Sequence, residues 1–300
     1  MNTFNHNTLN VNGKLIDLSK PQVMGILNCT PDSFYAGSRM QTEQAIATRA
    51  NEIISQGGTM IDIGAFSTRP GADEVSEEEE MARLRTALSI VRHEHPDAIL
   101  SVDTFRPDVA RMAVEEYGAG IINDVSEGGV TGVVNTPLAE DDGGIGRKDD
   151  EVIPPIFQMV ARLGVAYILM SVQPTLEATI MAFAKKVRQL RSIGQKDIIL
   201  DPGFGFGKTV EENYAILDGM ERLHALELPL LVGVSRKSMI FKLLGGSPEE
   251  SLNGTTAINT IALLKGANIL RVHDVRQASE AVRIVEQLPM SMMHNTMRPL

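Results

Sequence analysis

The chain has little of several residue types, and each shortage excludes a class of protein. Its 300 residues include one cysteine, Cys29, which excludes an internal disulfide and fits a reducing compartment. No apolar run approaches the roughly 20 residues that a membrane-spanning helix needs, and no basic segment followed by an apolar one opens the chain. Acidic residues outnumber basic ones by 38 to 28, so nucleic acid and anionic membranes are not expected partners. These features predict a cytoplasmic protein.

Short apolar runs alternate with helical patterns along the chain. The runs are Val23–Leu27, Met60–Ile63, Ile99–Val102, Gly120–Ile122, Ala166–Met170, Ile198–Leu200, Pro229–Val232 and Ile269–Val272. Between them, apolar residues recur at helical spacing, as at Met81, Leu84, Leu88 and Val91. Eight such units predict a parallel sheet that is covered by helices and closed into a (β/α)8 TIM barrel of the α/β class. An open, doubly wound sheet is the competing architecture.

Smaller features complete the prediction of one domain over residues 1–300. Asn12-Gly13 between two short strands predicts a β-hairpin with a type I′ turn within residues 1–20. Residues 127–155 are rich in glycine and acidic side chains, which predicts a loop inserted after the fourth barrel strand, and residues 289–300 are expected to form a tail. Three spacings are typical of capping boxes at helix starts: Ser76/Glu79, Thr209/Glu212 and Ser247/Glu250.

Polar residues follow seven of the eight predicted strands, at the end where barrel enzymes build their sites. They are Asn28, the segment Ser67-Thr68-Arg69, Asp103, Asn123, Asp201, the segment Ser235-Arg236-Lys237-Ser238, and Arg271 with His273. One acidic residue after a strand often caps the next helix, and this would explain Asp103 taken alone. It does not explain seven such strand ends in one chain, two of them basic, so we interpret them as a ligand site.

The residue types indicate a ligand with two chemically different ends. Carboxylates and an amide at Asp103, Asn123 and Asp201 suit a flat heterocycle that is rich in N–H donors, with Lys237 beside the ring. On the opposite side, Arg271 and His273 suit diphosphate oxygens, and Asn28 suits those oxygens or their magnesium. His273 has the alternative of being a packed, hydrogen-bonded histidine.

A glycine-rich run after the sixth barrel strand is a second motif to interpret. Gly203–Thr209 lacks the first glycine of a phosphate loop, because Pro202 occupies that place, and it does not match the dinucleotide fingerprint. We interpret it as a tight strand-to-helix loop. Its aromatic residue, Phe206, either reaches the pocket or packs in the hydrophobic interior.

Seven segments of the chain resemble signatures of the dihydropteroate synthases. They are Gly25–Phe34, Ser67–Ala72, Ser101–Thr104, Ile122–Asp124, Asp201–Lys208, Ser235–Ser238 and Arg271–Asp274. The resemblance extends from about Val23 to Leu288. It implies a barrel transferase of folate biosynthesis that condenses 6-hydroxymethyl-7,8-dihydropterin diphosphate with p-aminobenzoate, giving 7,8-dihydropteroate and pyrophosphate.

The resemblance also implies a role for each matching residue. The implied pterin ligands are Asp103, Asn123, Asp201, Lys237 and Met170. The implied diphosphate ligands are Asn28, Arg271 and His273, with Asn28 also binding Mg²⁺, the implied cofactor. The implied p-aminobenzoate site, where sulfonamides compete, consists of Thr68, Arg69, Pro70, Phe206, Lys237 and Ser238. The implied catalytic residues are Lys237, Asp103, Arg271 and His273, acting in a dissociative substitution. A homodimer built through the late barrel helices is implied as well.

Three positions depart from the family pattern and keep alternatives open. Many members have aspartate at the place of Ala36, glutamate at the place of Phe66 and histidine at the place of Ser171. One alternative, a catalytically weak pterin-binding paralogue, is supported by these departures. The other is a pterin-binding methyltransferase, which shares the Asp and Asn contacts but has no need of Lys237 or Arg271.

Overall fold

A computed structural model describes residues 8–29, 39–66, 75–129 and 152–288. Its strands are β1 (Thr8–Val11), β2 (Lys14–Asp17), β3 (Gln22–Asn28), β4 (Met60–Gly64), β5 (Ile99–Asp103), β6 (Ile121–Asp124), β7 (Ala166–Met170), β8 (Ile198–Asp201), β9 (Leu231–Val232) and β10 (Ile269–Val272). Its α-helices are α1 (Arg39–Ser55), α2 (Glu77–Glu94), α3 (Pro107–Tyr117), α4 (Pro155–Leu163), α5 (Leu176–Ser192), α6 (Val210–Asp218), α7 (Ser238–Leu244), α8 (Leu252–Leu264) and α9 (Val275–Val285). A 3-10 helix, Met220–Leu226, follows α6.

The eight strands β3 to β10 form one parallel sheet that closes on itself. Their order is β8-β7-β6-β5-β4-β3-β10-β9, and a parallel bridge between Leu200 and Leu230 joins the two ends. Each predicted strand is present within one or two residues of its expected bounds. The prediction of a (β/α)8 barrel is confirmed, and the open doubly wound sheet is excluded because its edge strands would stay unpaired.

The N-terminal hairpin covers the bottom of the barrel. Asn12 and Gly13 both have positive φ, 53° and 79°, as a type I′ turn requires. Leu9 and Leu18 of the hairpin segment are fully buried against strand residues that point into the lower barrel, such as Met24. The hairpin therefore seals the amino ends of the strands, and the carboxyl ends remain as the open face.

Two of the three predicted caps begin a helix. Thr209 and Glu212 form a complete capping box at the start of α6, and the Ser76 side chain accepts a hydrogen bond from the first turn of α2. The prediction of a helix start at Ser247 is wrong. The Glu250 carboxylate accepts from the Ser247 amide, but this bond closes a single turn, and α8 begins only after Ser251, whose hydroxyl bonds back to Pro248.

The predicted loop after β6 is described only at its two ends. Glu127 to Gly129 form a turn, and α4 begins at Pro155. The centre of the loop, 130–151, and the predicted tail, 289–300, lie outside the described residues, so these domain bounds stay predictions. Among the described helices, none combines the length and the apolar character that crossing a membrane requires.

Candidate active site

Charged side chains gather inside the barrel at its carboxyl end. Asp62, Asp103 and Asp201 are buried at or near the ends of β4, β5 and β8, and Asn123 is buried on β6. Arg271 reaches the same space from β10. Parallel strands bring these residues together because all of their carboxyl ends meet on one face of the barrel.

Arg271 joins two carboxylates from neighbouring strands. Its Nε lies 2.6 Å from Asp62 Oδ2, and its Nη2 lies 2.9 Å from Asp103 Oδ2. Asp62 also accepts hydrogen bonds from Asn123 Nδ2, at 3.1 Å, and from the Ser101 hydroxyl. Burial alone would lower the pKa of Arg271, but the Asp62 and Asp103 charges outweigh it and raise that pKa, so the guanidinium stays charged.

Two buried oxygen atoms in this network have no hydrogen-bond donor among the described residues. They are Asp103 Oδ1 and Asn123 Oδ1, on adjacent strands. Buried acceptors are normally satisfied, so this pair is a candidate contact for the N–H groups of a ligand. Burial also raises the pKa of Asp103 to about 7, although the Arg271 charge opposes the shift.

Lys237 lies on the other side of the same space, just before α7. Its Nζ donates to the carbonyl of Phe204 and stands 4.1 Å from the centre of the Phe206 ring. Burial lowers the pKa of Lys237 to about 7, against the attraction of Asp201 and with the help of repulsion from Arg271. Burial likewise raises the pKa of Asp201, whose Oδ1 accepts from the Gly203 amide at 2.8 Å.

Phe206 belongs to this site and not to the interior between the barrel and its helices. Besides contacting Lys237, it packs on a small apolar group formed by Val125, Met170 and Val172. Met170, a predicted pterin ligand, is fully buried in that group. The neighbouring Ser238 is the first residue of α7, directly after Lys237.

The predicted diphosphate ligands lie on, or directly after, two strands that adjoin, β10 and β3. Asn28 Oδ1 and Asp103 Oδ2 flank Gly64, at 3.6 and 3.8 Å from the point where a Cβ on that glycine would lie. The sequence predicts Arg271 on the side of the site opposite Asp103. This placement is wrong, because the long side chain of Arg271 crosses the barrel to Asp103. The structure places Arg271 between the two groups of residues.

His273 is hydrogen-bonded at the edge of the site. Its Nδ1 lies 3.1 Å from the hydroxyl of Ser235. Burial, reinforced by the Arg271 charge, lowers the pKa of His273 to about 4, so the ring is neutral at pH 7. The backbone carbonyl of His273 accepts from Arg49 Nη2 at 2.6 Å, which ties the end of β10 to α1. In the protein without a ligand, His273 therefore offers the site a hydrogen-bonding group and no positive charge.

Three residues of the p-aminobenzoate prediction, Thr68, Arg69 and Pro70, lie outside the described residues, and so does Ala36. The other two departures from the family pattern are described. Phe66 packs edge-on against Phe105, with ring centres 5.6 Å apart. The Ser171 hydroxyl donates to Glu127 Oε1 at 3.0 Å.

Sequence reasoning missed Asp62 as a part of the site and Lys208 as a charged neighbour of it. Asp62 is fully buried and pairs with Arg271, and Lys208 lies near Asp201. A signal for Asp62 was present, because it is the one charged residue in the apolar run Met60–Ile63 and a buried charge needs a partner. The Lys208 position carried no such signal.

This fold and site define a class, the barrel enzymes that bind a pterin. Residues 24–273 match the family described as "Pterin binding enzyme", and the chain belongs to it.

The relatives identify one branch of that family. The chain is 38% identical to the dihydropteroate synthase of Escherichia coli K12, over 91% of this chain and 94% of that one. It is 35% identical to the same enzyme of Streptococcus pyogenes serotype M1, over 92% and 98%. The chain is a member of the dihydropteroate synthases, which are transferases, as the resemblance implied.

Solved structures agree with this assignment. A Xanthomonas albilineans dihydropteroate synthase with 4-aminobenzoic acid superposes with a TM-score of 0.81 at 33% identity, covering 94% of this chain and 99% of that one. A Yersinia pestis dihydropteroate synthase with a sulfonamide drug complex gives a TM-score of 0.76 at 38% identity, covering 93% and 98%. These relatives do not support the methyltransferase or the weak paralogue as alternatives.

Proposed function

We propose that this dihydropteroate synthase condenses 6-hydroxymethyl-7,8-dihydropterin diphosphate with p-aminobenzoate and releases pyrophosphate, using the residues named above. The observation that carries the residue assignment is the pair of buried acceptors, Asp103 Oδ1 and Asn123 Oδ1, beside a charged Arg271. A pterin ring has N–H donors along one edge that would satisfy both. Asp201 and Lys237 would hold the opposite edge.

Positive charge beside the pterin would assist the loss of pyrophosphate. In the proposed dissociative reaction, the bond between the methylene carbon and the diphosphate oxygen breaks first, and its electron pair leaves with pyrophosphate. Arg271 and Lys237 would stabilise the departing anion, and neutral His273 would donate a hydrogen bond to it. The arylamine nitrogen then bonds to the methylene carbon and loses a proton.

Magnesium is part of this proposal, with Asn28 as its protein ligand. Asn28 Oδ1 lies 3.6 Å from the point where a Cβ on Gly64 would lie, and a carboxamide oxygen is a ligand that suits Mg²⁺. The described residues contain no group of three or more His, Cys, Asp or Glu side chains that could hold a metal. The ion would therefore take its remaining ligands from diphosphate and water, and it would neutralise charge on the diphosphate.

The reaction itself is tested by incubating the purified protein with dihydropterin diphosphate, p-aminobenzoate and magnesium. Pyrophosphate and dihydropteroate should appear in equal amounts, and chelation of magnesium should reduce both. Absence of pyrophosphate from a folded sample, with both substrates shown to be intact, would contradict the proposed activity.

The second substrate is expected to bind only after the first. If the loops that follow β3 and β4 complete the p-aminobenzoate site around the diphosphate, p-aminobenzoate should bind tightly only when pyrophosphate or the pterin diphosphate is present. Isothermal titration of p-aminobenzoate, with and without pyrophosphate and magnesium, measures this dependence. Equal affinities in the two titrations would be evidence against a site that the diphosphate completes.

The rate is expected to fall on the alkaline side of neutrality. Burial lowers the pKa of Lys237 to about 7, so the free enzyme loses this positive charge as the pH rises through that value. Because kcat/KM reports the ionisation of the free enzyme, kcat/KM for the pterin diphosphate should decline from about pH 7 upward. A profile of kcat/KM that stays level up to about pH 9 would show that the Lys237 proton is not needed.

A homodimer through the late barrel helices is a further part of the proposal. Large apolar side chains are exposed on α7 (Leu243 and Leu244), on α8 (Ile261 and Leu264) and on α9 (Ile284). Apolar groups clustered on neighbouring helices are typical of surfaces that bind a partner.

A cytoplasmic location stays a prediction from the sequence.

Leu244→Arg is expected to convert the dimer into a monomer. The Leu244 side chain is 63% exposed, so a charge there costs the isolated protomer little but would be buried in the dimer. Sedimentation velocity at micromolar concentration measures the mass. Met181→Arg is the matched control, because Met181 is 71% exposed on α5, away from those helices, and should leave the dimer intact. A monomeric wild type would contradict the proposed dimer.

A further inference from the structure

Lys208 has no part in the function described so far, although it stands beside the site. The sequence presents it in a run that only resembles a phosphate loop. In the structure its ammonium group meets three backbone carbonyls instead. The distances from Nζ are 3.1 Å to Ser171 O, 3.0 Å to Gly203 O and 3.4 Å to Phe206 O.

The loop backbone explains why these carbonyls converge. Gly203, Gly205 and Gly207 all have positive φ, between 61° and 79°, and a turn is closed by the bond from the Phe206 amide to Gly203 O. Gly203 also lies so close to the end of β7 that a Cβ on it would come 2.1 Å from Ser171 O. The partial negative charges of the three oxygens converge on one point, which favours a cation there.

Charged groups around Lys208 balance its own charge. Asp201, Glu127 and Glu212 attract the ammonium, and Lys237 faces it as a like charge. Glu127 is buried and is held in place by the Ser171 hydroxyl. Partial burial lowers the pKa of Lys208 to about 8, so the ammonium form still predominates at neutral pH.

The loop that Lys208 holds touches the site at three points. One is the Gly203 amide, which donates to Asp201 Oδ1 at 2.8 Å. The carbonyl of Phe204 accepts from Lys237 Nζ, and the Phe206 ring lies beneath the same ammonium group. In contrast, the proposed pterin acceptors Asp103 and Asn123 are carried by barrel strands and do not depend on this loop. A change in the loop should therefore affect one side of the site more than the other.

We propose that Lys208 is a positioning residue for the arylamine substrate. By holding the turn Gly203–Gly207 against the end of β7, it sets Phe206 at the place where the ring of p-aminobenzoate would pack. This inference rests on the proposed function, in which Phe206 contacts p-aminobenzoate. Lys208 itself need not touch either substrate.

The test compares Lys208→Met with the wild type in two separate measurements. The Kd for p-aminobenzoate in the presence of pyrophosphate and magnesium should rise by about tenfold or more, and KM for p-aminobenzoate should rise with it. The KM for pterin diphosphate should rise by no more than about threefold, because Asp103 and Asn123 stand on barrel strands and the Asp201 carboxylate, which also accepts from the loop at Gly203, is itself carried by β8. A Kd for p-aminobenzoate that is unaltered, or parallel rises in both KM values, would overturn the proposal.

Lys186→Met is the matched control. Lys186 is another partly buried lysine of the same region, and it donates to a backbone carbonyl outside the Gly203–Gly207 turn, that of Glu127. Its removal should leave both KM values within about threefold of the wild type. A selective loss of p-aminobenzoate affinity in this variant would mean that the effect comes from any lost lysine and would overturn the assignment to Lys208.

A double-mutant cycle shows whether Lys208 acts through Phe206. In a Phe206→Ala background, Lys208→Met should change the Kd for p-aminobenzoate by less than about threefold, whereas additive losses would overturn the proposed route. If Lys208→Met does not fold, Lys208→Gln, which keeps a polar side chain but removes the positive charge on which the three carbonyls converge, is subject to the same criteria. A wild type that binds p-aminobenzoate but releases no pyrophosphate would contradict the proposed function and leave the binding tests decisive for Lys208.

Discussion

Lys237→Ala is expected to lower kcat/KM for dihydropteroate formation by about tenfold or more while the barrel stays folded. Lys237 stands in buried surroundings beside Asp201 and 4.1 Å from the Phe206 ring, where both substrates would meet. Loss of a charged hydrogen bond in such a place costs about 1.5–3 kcal/mol, which corresponds to about tenfold or beyond. The loss should appear in kcat as well as in KM, since positive charge is needed most when pyrophosphate departs.

Lys242→Ala is the control for this variant. Lys242 is an exposed lysine on α7, the helix that begins directly after Lys237, so its removal changes the net charge equally and leaves the site intact. Its kcat/KM should match that of the wild type. Asp201→Asn should resemble Lys237→Ala, because it removes the charge that faces the ammonium group. Wild-type kinetics in a folded Lys237→Ala variant would contradict the assignment of Lys237 as a pterin ligand.

Much of the fold follows from the sequence because the relevant signals are local. Eight apolar runs of strand length, separated by helical spacing, determine a parallel barrel, and Asn12-Gly13 determines its own hairpin turn. The meeting of Asp103, Asn123 and Asp201 also follows, because parallel strands carry their ends to one face. In these cases the sequence pattern is enough, because strand direction alone decides where the residues lie.

The parts that could not be predicted depend on how far a side chain reaches. Nothing in the pattern says that Arg271 crosses the barrel to Asp62 and Asp103, and strand adjacency alone placed it on the opposite side. Lys208 is a similar case, since the convergence of three carbonyls on its ammonium group arises from the φ angles of the glycines around it. Such contacts depend on side-chain reach and backbone angles, which the order of residues along the chain does not specify.

Asp62→Ala should destabilise the protein more than any other single change considered. The Asp62 carboxylate is fully buried and receives Arg271 Nε at 2.6 Å, Asn123 Nδ2 at 3.1 Å and the Ser101 hydroxyl. Removing it leaves Arg271 Nε and two polar donors without their acceptor, and the guanidinium keeps the Asp103 carboxylate as a counter-charge. Breaking one partner of a buried ion pair costs about 3–5 kcal/mol, which urea denaturation followed by circular dichroism can measure.

The attribution to the Arg271 pair is tested in two ways. Asp218→Ala removes a carboxylate that is 93% exposed and should change the free energy of unfolding by no more than about 0.5 kcal/mol. In an Arg271→Met background, the further loss from Asp62→Ala should shrink by about 1–3 kcal/mol, because the guanidinium that needed a counter-charge is gone. Additive losses in this cycle would mean that Asp62 stabilises the barrel mainly through Asn123 and Ser101. Arg271 would then depend on Asp103 for its position, and Asp62 would be a structural residue of the barrel interior.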